Sequence, residues 1–345
     1  MKGACLMHFN SIEMQDICQE PALASLSKEV NDKWYSKKSA AECMQAVFSE
    51  LRNSRYWLRP YTPNYWGDKA ERISNCGSYM LFARKGDSFK LQEANFCRQR
   101  LCPMCSWRRS LKQYATLSSI MDVVQDRGAK FVFATFTIRN CSGAALPQTV
   151  DTLLSAFNRL DHDIIRKRKK GIVLGAARTL EVTYNPQRND FHPHLHVVFA
   201  VSHKYFKSGY IKHQEWRSLW SECLGVDYLP MVRIEKVKAL HGESYEAAVR
   251  EVAKYTVKDY DILRQDTAAG KAYVTQCLDS ALRGRRLFSL SGVFFRIRKE
   301  LNLEDPADGD LIVTGTDSDE IRSDVAAVMF VCRWVGGVYQ LTEIA

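Results

Sequence analysis

The sequence predicts an α+β fold of antiparallel strands and interspersed helices, with a small cysteine-rich ribbon, on three observations. The stretch FHPHLHVVFAV, Phe191 to Val201, alternates polar and apolar residues and ends in β-formers. ARTLEVTYN precedes it across PQRNDFHP, whose Pro, Asn and Asp signal a turn between strands that pair antiparallel. Cysteines cluster between Asn75 and Leu111.

Residues 1–74 form a helical and linking region, with KKSAAECMQAVFSELRNSRYWL at helical spacing and no legible role. Residues 75–110 form the ribbon, its short strands drawn from SYMLFARKGDSFKLQEANF around a Gly86-Asp87 turn. The main domain spans 111–265. It opens with the amphipathic helix SWRRSLKQYATLSSIMDVVQ and the strand AKFVFATFTIRN, which sets Phe131, Phe133, Thr135 and Thr137 on one face. The helix QTVDTLLSAFNRLDHDIIRKRKK ends in Arg166 to Lys170, read either as a solvated helix C-terminus or as a phosphate-binding surface. After the histidine hairpin come the basic, aromatic SHKYFKSGYIKHQEWRSLW, the strand MVRIEKV and a helix over ESYEAAVREVAKYTVKDYDIL. Residues 266–345 form a C-terminal region expected to pack on the main domain.

With 345 residues, 46% hydrophobic and 26% charged, the chain reads as globular, which excludes disordered and fibrous classes. VAAVMFVCRWVGGVYQL is broken by Arg333, and the N-terminus has acids where a signal peptide needs an apolar core, so a cytoplasmic protein without a membrane partner is expected. The odd count of eleven cysteines fits reducing conditions with some thiols holding metal. A net charge of +10 favours a polyanionic partner.

On a strand His192, His194 and His196 share one face, with neighbouring imidazoles about 7 Å apart along the backbone, so that two can converge on one ion. The alternative is a polar face of solvated histidines. Glu181 shares a face with Thr179 and Thr183 and, in the matching register, meets His194 and His196; two imidazoles and a carboxylate leave open positions on Mg²⁺ or Mn²⁺. Its alternative is a surface ion pair. His192, before a proline, is left outside the ligand set. Cys102 and Cys105 make a CxxC knuckle, Cys97 adds a thiolate and Cys76 the fourth, a closed structural Zn²⁺ site, the alternative being a redox CxxC or unligated thiols. Arg108, Arg109 and Lys112 follow as candidate DNA contacts. In REVAKYTVKDYD, Glu251, Tyr255 and Lys258 fall along one helical face: a proton acceptor for water, a nucleophile and a cation for phosphate oxygens, the alternative being a core tyrosine flanked by an ordinary ion-pair face. Tyr260 lies off that face and reads as structural.

Together, PHLHVVFAV, CRQRLCPMCSWRRSLK, FVFATFTIRN and EVAKYTVKD, in this protein's order, resemble the rolling-circle replication initiators of small bacterial plasmids, in the group with one nucleophilic tyrosine and a glutamate one turn before it. The resemblance runs from about Cys76 to GDLIVTG. It implies a histidine-hydrophobe-histidine (HUH) endonuclease: a central antiparallel, ferredoxin- or RRM-like sheet with helices on one side. It implies nicking of one strand at the double-strand origin, with Tyr255 held covalently on the 5′ phosphate, His194 and His196 on the ion, Glu251 activating water at termination, and Lys258 beside the tyrosine. DNA at the origin and its single-stranded nick region would be the partner, with a host helicase also implied. Oligomeric state, including a dimer, stays open. The competing readings are a rolling-circle transposase, disfavoured by the spacing of Tyr260 and by Glu251, and a non-catalytic zinc-ribbon DNA-binding protein.

Overall fold

Helical spacing of apolar residues and runs of β-formers translate, in the computed structural model, into a chain of short elements. In order they are α1 (Lys28–Asn53), α2 (Pro63–Asn75), β1 (Tyr79–Lys85), β2 (Ser88–Ala94), α3 (Pro103–Asp126), β3 (Lys130–Thr137), α4 (Leu146–Asp161), β4 (Val173–Asn185), β5 (Asp190–Val201), α5 (His213–Leu224), β6 (Val232–Lys236), α6 (Glu246–Val252), α7 (Asp259–Leu263), α8 (Ala268–Leu282), β7 (Phe288–Leu290), α9 (Gly292–Glu300), β8 (Val328–Val335) and β9 (Val338–Ile344). The structure describes residues 28–54, 62–85, 88–237, 246–253, 257–314 and 328–344. They divide into two units, Met1–Cys105 with Asp319–Ala345, and Ser106–Ser318.

The first unit is built on a four-stranded antiparallel sheet ordered β2-β1-β8-β9. β8 and β9 turn through Gly336 and Gly337, at φ +60° and +86°, the backbone a two-residue hairpin turn requires. Trp34 of α1 packs edge-on against Phe82 of β1, and Phe48 meets Trp66 of α2, so the helices and the ribbon belong to one unit. The region 266–345 divides: α8, β7 and α9 lie in the second unit, while β8 and β9 complete the first unit's sheet.

The second unit holds a five-stranded antiparallel sheet ordered β6-β3-β5-β4-β7, so the histidine strand is its middle. Pro193 is tolerated there because it stands beyond the His194–Thr137 pair, where β3 ends. Opposite β5, β4 sets Glu181 against His194, Thr179 against His196 and Thr183 against His192. On the other side Thr135 pairs with His196. Gly175 and Gly292 let α9 close onto β4: a Cβ on Gly175 would lie 2.6 Å from the Ser291 carbonyl, and Gly292 holds φ +57°.

Helices cover both faces of this sheet, where the resemblance implied one. Leu117, Met121, Val249, Val252, Phe294 and Ile297 of α3, α6 and α9 bury Phe131, Phe133, Val198 and Ala200. On the opposite face Phe157 of α4 and Trp216 of α5 meet Phe136 and Phe199. Past His196, β5 is apolar on both sides, with Val197 and Phe199 on one and Val198 and Ala200 on the other, all fully buried, and such a strand must be covered twice.

The stretch ESYEAAVREVAKYTVKDYDIL departs from the single helix expected of it. α6 ends at Val252, and Lys258 is extended at φ −77°, ψ 126° as the N-cap of α7. Asp259 and Asp261 in the first turn of α7 favour a fresh start there, and β-branched Val257, buried, anchors the break. Glu251 and Lys258 therefore sit on separate elements. Tyr255 lies outside the described residues.

Candidate active site and metal centres

The middle of the second unit's sheet brings Glu181, His194 and His196 together, all 9% exposed or less. The Nε2 atoms of the two imidazoles are 3.2 Å apart, and Glu181 Oε2 lies 2.8 Å from that of His196 and 3.3 Å from that of His194. Neighbouring ligands on an octahedral ion held at about 2.1 Å stand about 3.0 Å apart, so three donors at these spacings fit one face of such an ion. The ring orientations agree. His194 Nδ1 lies 3.2 Å from the His192 carbonyl and His196 Nδ1 lies 3.4 Å from Thr135 Oγ1, which aims both Nε2 atoms inward. Phe133 stacks on the His196 ring at 5.8 Å and fixes its plane.

Burial alone would raise the Glu181 carboxyl, but hydrogen bonds from His194 and His196, with their charge, outweigh it and hold the group well below the usual carboxylate range. Glu181 is thus an anion at neutral pH, as a ligand must be. Lys258 reaches its other oxygen, Oε1, at 3.5 Å with a half-exposed side chain, which places a cation at the rim of the triad. Glu251 is half-buried on α6, which packs against β4 and β5. His192 lies outside the triad but stacks on the His194 ring at 5.1 Å: its Nδ1–H donates to Asn140 Oδ1 at 2.7 Å, and Asn140 donates in turn to Asp190 at 3.0 Å. Thr135, Phe133 and Asn140 support the site without any pattern in the sequence that marks them.

The second group, in the first unit, is Cys76, Cys97, Cys102 and Cys105, all buried. Sulfurs are separated by 3.4 Å (Cys76–Cys105), 3.7 Å (Cys97–Cys105) and 3.6 Å (Cys76–Cys102). Four thiolates at about 2.3 Å from a tetrahedral ion lie about 3.8 Å apart, so the set fits a closed site. The Cys97 amide donates to Cys76 Sγ at 3.4 Å and the Arg98 amide, from a residue at φ +59°, donates to Cys105 Sγ at 3.2 Å. Thiol contacts from Cys102, Cys105 and Cys76 hold the Cys97 thiol far below its ordinary range, whereas burial pushes Cys102 up. Lys38 of α1, 1% exposed, donates to the carbonyls of Ser74 at 2.7 Å and Cys76 at 3.0 Å, bringing a positive charge to this anionic cluster. Nothing in the sequence singles out that lysine. Cys102→Ala is expected to lose one equivalent of bound metal and to destabilise the first unit by about 3 kcal/mol or more, read from metal content and denaturant unfolding.

Arg108 and Lys112, expected on DNA, are buried at 3% and 6% exposure. Arg108 donates to the carbonyls of Leu311 at 2.8 Å and Ile312 at 2.5 Å; Lys112 pairs with Glu304 and donates to the Asp310 carbonyl at 2.7 Å. Both spend their donors pinning the 304–312 segment to α3, which corrects the DNA-contact reading for them. Arg109 is half-buried. Arg108→Ala should therefore lower stability by about 3 kcal/mol, measured by denaturant unfolding, through orphaned carbonyls and a lost charged donor.

A family model described as "Replication protein" matches residues 88–340. The chain belongs to this replication-protein family. It is 37% identical to a "Protein rep" of Bacillus amyloliquefaciens over 322 residues, covering 88% of this chain and 92% of that one. A "Protein rep" of Streptococcus pneumoniae serotype 2 (strain D39 / NCTC 7466) is 33% identical over 318 residues, 90% of this chain and 92% of the relative. One from Lactiplantibacillus plantarum is 35% identical over 274 residues, 77% and 85% of the two chains. No solved structure matches the chain. The family agrees with the rolling-circle plasmid initiator that the sequence motifs resemble. Among the described residues no helix is long and apolar enough to cross a membrane.

Proposed function

We propose that this replication initiator starts rolling-circle synthesis by a metal-dependent nick in one strand of its origin, through a 5′-phosphotyrosine. The observation that carries the proposal is the inward-facing triad of Glu181, His194 and His196, with Lys258 3.5 Å from its carboxylate. A divalent ion held there, Mg²⁺ or Mn²⁺, supplies Lewis acidity toward a phosphate oxygen and orients the scissile bond. The Tyr255 hydroxyl attacks phosphorus; the bond from phosphorus to the tyrosine oxygen forms as the bond to the 3′ oxygen breaks, and the phenolic proton passes by way of solvent to that departing 3′ oxygen. The freed 3′ hydroxyl primes synthesis. The ester conserves the energy of the cut bond, so rejoining needs no nucleotide. Lys258 holds non-bridging oxygens at the rim. At the end of a round Glu251 accepts a proton from water for a second cut, so one tyrosine suffices.

In the first unit the Cys76, Cys97, Cys102 and Cys105 site would hold a structural Zn²⁺ that closes the ribbon. The partner is origin DNA, double-stranded around an unpaired nick region, with a host helicase following. To test the proposal, the protein is mixed with single-stranded DNA covering the replicon's nick region and Mn²⁺, then denatured. An adduct that survives denaturation and is lost with EDTA supports nicking; DNA binding with no adduct under any divalent metal points instead to a non-catalytic zinc-ribbon protein.

A further inference from the structure

Exposed positive charge of the second unit gathers at the turn after β5, whereas Arg108 and Lys112 are buried. Of the basic run after α4, Lys167 pairs with Asp163 at 3.0 Å, Arg168 with Glu222 at 2.9 Å and Lys169 with Glu215 at 3.2 Å, which neutralises those three. Close by, a tight turn follows β5: the amides of Lys207 and Gly209 both donate to the Lys204 carbonyl at 3.0 Å. A Cβ on Gly209 would lie 2.7 Å from Ile172 Cδ1, so this turn lies directly on the segment after Lys170. Phe206 at its tip has the Lys236 ammonium 5.1 Å and the Lys130 ammonium 5.9 Å from its ring centroid. Lys130, Lys170, Lys204, Lys207 and Lys236 are all exposed, and no carboxylate among the described residues pairs with them. The nearest strand carboxylate, Glu235, is taken by Arg233 at 2.6 Å.

We infer that this lysine cluster around Phe206 is a docking surface for the phosphate backbone of double-stranded DNA beside the nick, an inference that rests on the nicking function proposed above. Two features favour backbone over bases. The Phe206 ring has two ammonium groups within 6 Å of its centroid and packs edge-on against Tyr205 at 5.1 Å, so its aromatic surface is already engaged by cations. Lysine reads phosphate as a point charge without sequence preference. Position favours duplex. From His194 at the metal site to Val201 the strand runs about 23 Å, or about seven base pairs of DNA. The strand being cut must be unpaired at the triad, but at that distance it has room to be paired again.

The test uses the full chain with Lys204, Lys207 and Lys236 all changed to Glu, and a second variant with the same three changed to Gln. Each is titrated with a random-sequence duplex of about 30 base pairs, three helical turns, and with its single strand, across a salt series. Adduct formation on a short nick-region oligonucleotide is measured alongside. Both variants are expected to bind duplex more weakly, with a salt slope shallower by about three, while adduct formation on the short oligonucleotide stays at the wild-type level. Unchanged duplex affinity and slope, with cleavage intact, overturns the docking surface, and so does a loss confined to single-stranded DNA. No adduct from the wild-type protein overturns nicking instead, and weakened duplex binding in the variants would then still support the surface.

Discussion

His196→Ala is expected to reduce metal-dependent strand cleavage by about a thousandfold or more while the chain stays folded. In the proposed reaction the imidazole would supply one of three donors to the ion, and a Lewis acid on a phosphoryl oxygen is worth several kcal/mol of transition-state stabilisation. Glu181 would keep only His194 and Lys258 as partners, and Phe133 would lose the ring it stacks on. A modest loss of stability, about 1 to 3 kcal/mol, accompanies the loss of activity. The informative control is His192→Ala. The bond that orients His194 comes from the His192 backbone carbonyl, which alanine retains, so cleavage should fall by no more than about tenfold to a hundredfold. Initial rates on one oligonucleotide at a fixed Mn²⁺ concentration, with circular dichroism to confirm folding, check both. Equal losses for the two variants would mean that His192 belongs in the ligand set.

Tyr255→Phe is expected to abolish the covalent adduct altogether, because the missing oxygen is the atom that forms the ester. Metal binding and DNA affinity should stay near wild type, since the Glu181, His194 and His196 donors and the surface lysines all remain in place. Tyr260→Phe provides the contrast. That tyrosine is about half exposed on α7, with its ring against the Arg264 guanidinium, and its loss should leave adduct formation intact. A gel comparison of the two variants after denaturation separates a single-tyrosine enzyme from a two-tyrosine one.

The meeting of Glu181 with His194 and His196 was legible because strand alternation is a local rule. Once Glu181 and the histidines stood on neighbouring antiparallel strands, the period of two placed them on one face, and the Glu181–His194 register follows the short turn between the strands. The four cysteines were legible through the CxxC spacing. What escaped depended on partners far away in sequence. Arg108 and Lys112 look like a surface patch until residues 304–312 fold over them. Lys38 reads as one lysine among many on a helix, yet it is buried beside Cys76. The hairpin β8–β9 carried a local signal, two glycines between β-formers, but nothing local announced that its partner would be β1, some 250 residues earlier. The second helical layer also went unforeseen, although the doubly apolar end of β5 implies it. In REVAKYTVKDYD helical spacing continued through Lys258, and only the acidic start of α7 marked the break.

The most direct test of the account is peptide mapping of the covalent adduct: nicking in Mn²⁺, nuclease trimming, proteolysis, and mass spectrometry to find the residue that carries the nucleotide. A 5′-linked nucleotide is expected on the peptide containing Tyr255, at one site, forming about a thousandfold more slowly or less when His196 is alanine. A nucleotide on Tyr260 or on any other residue, or an adduct that forms at the wild-type rate without the metal triad, would contradict the account.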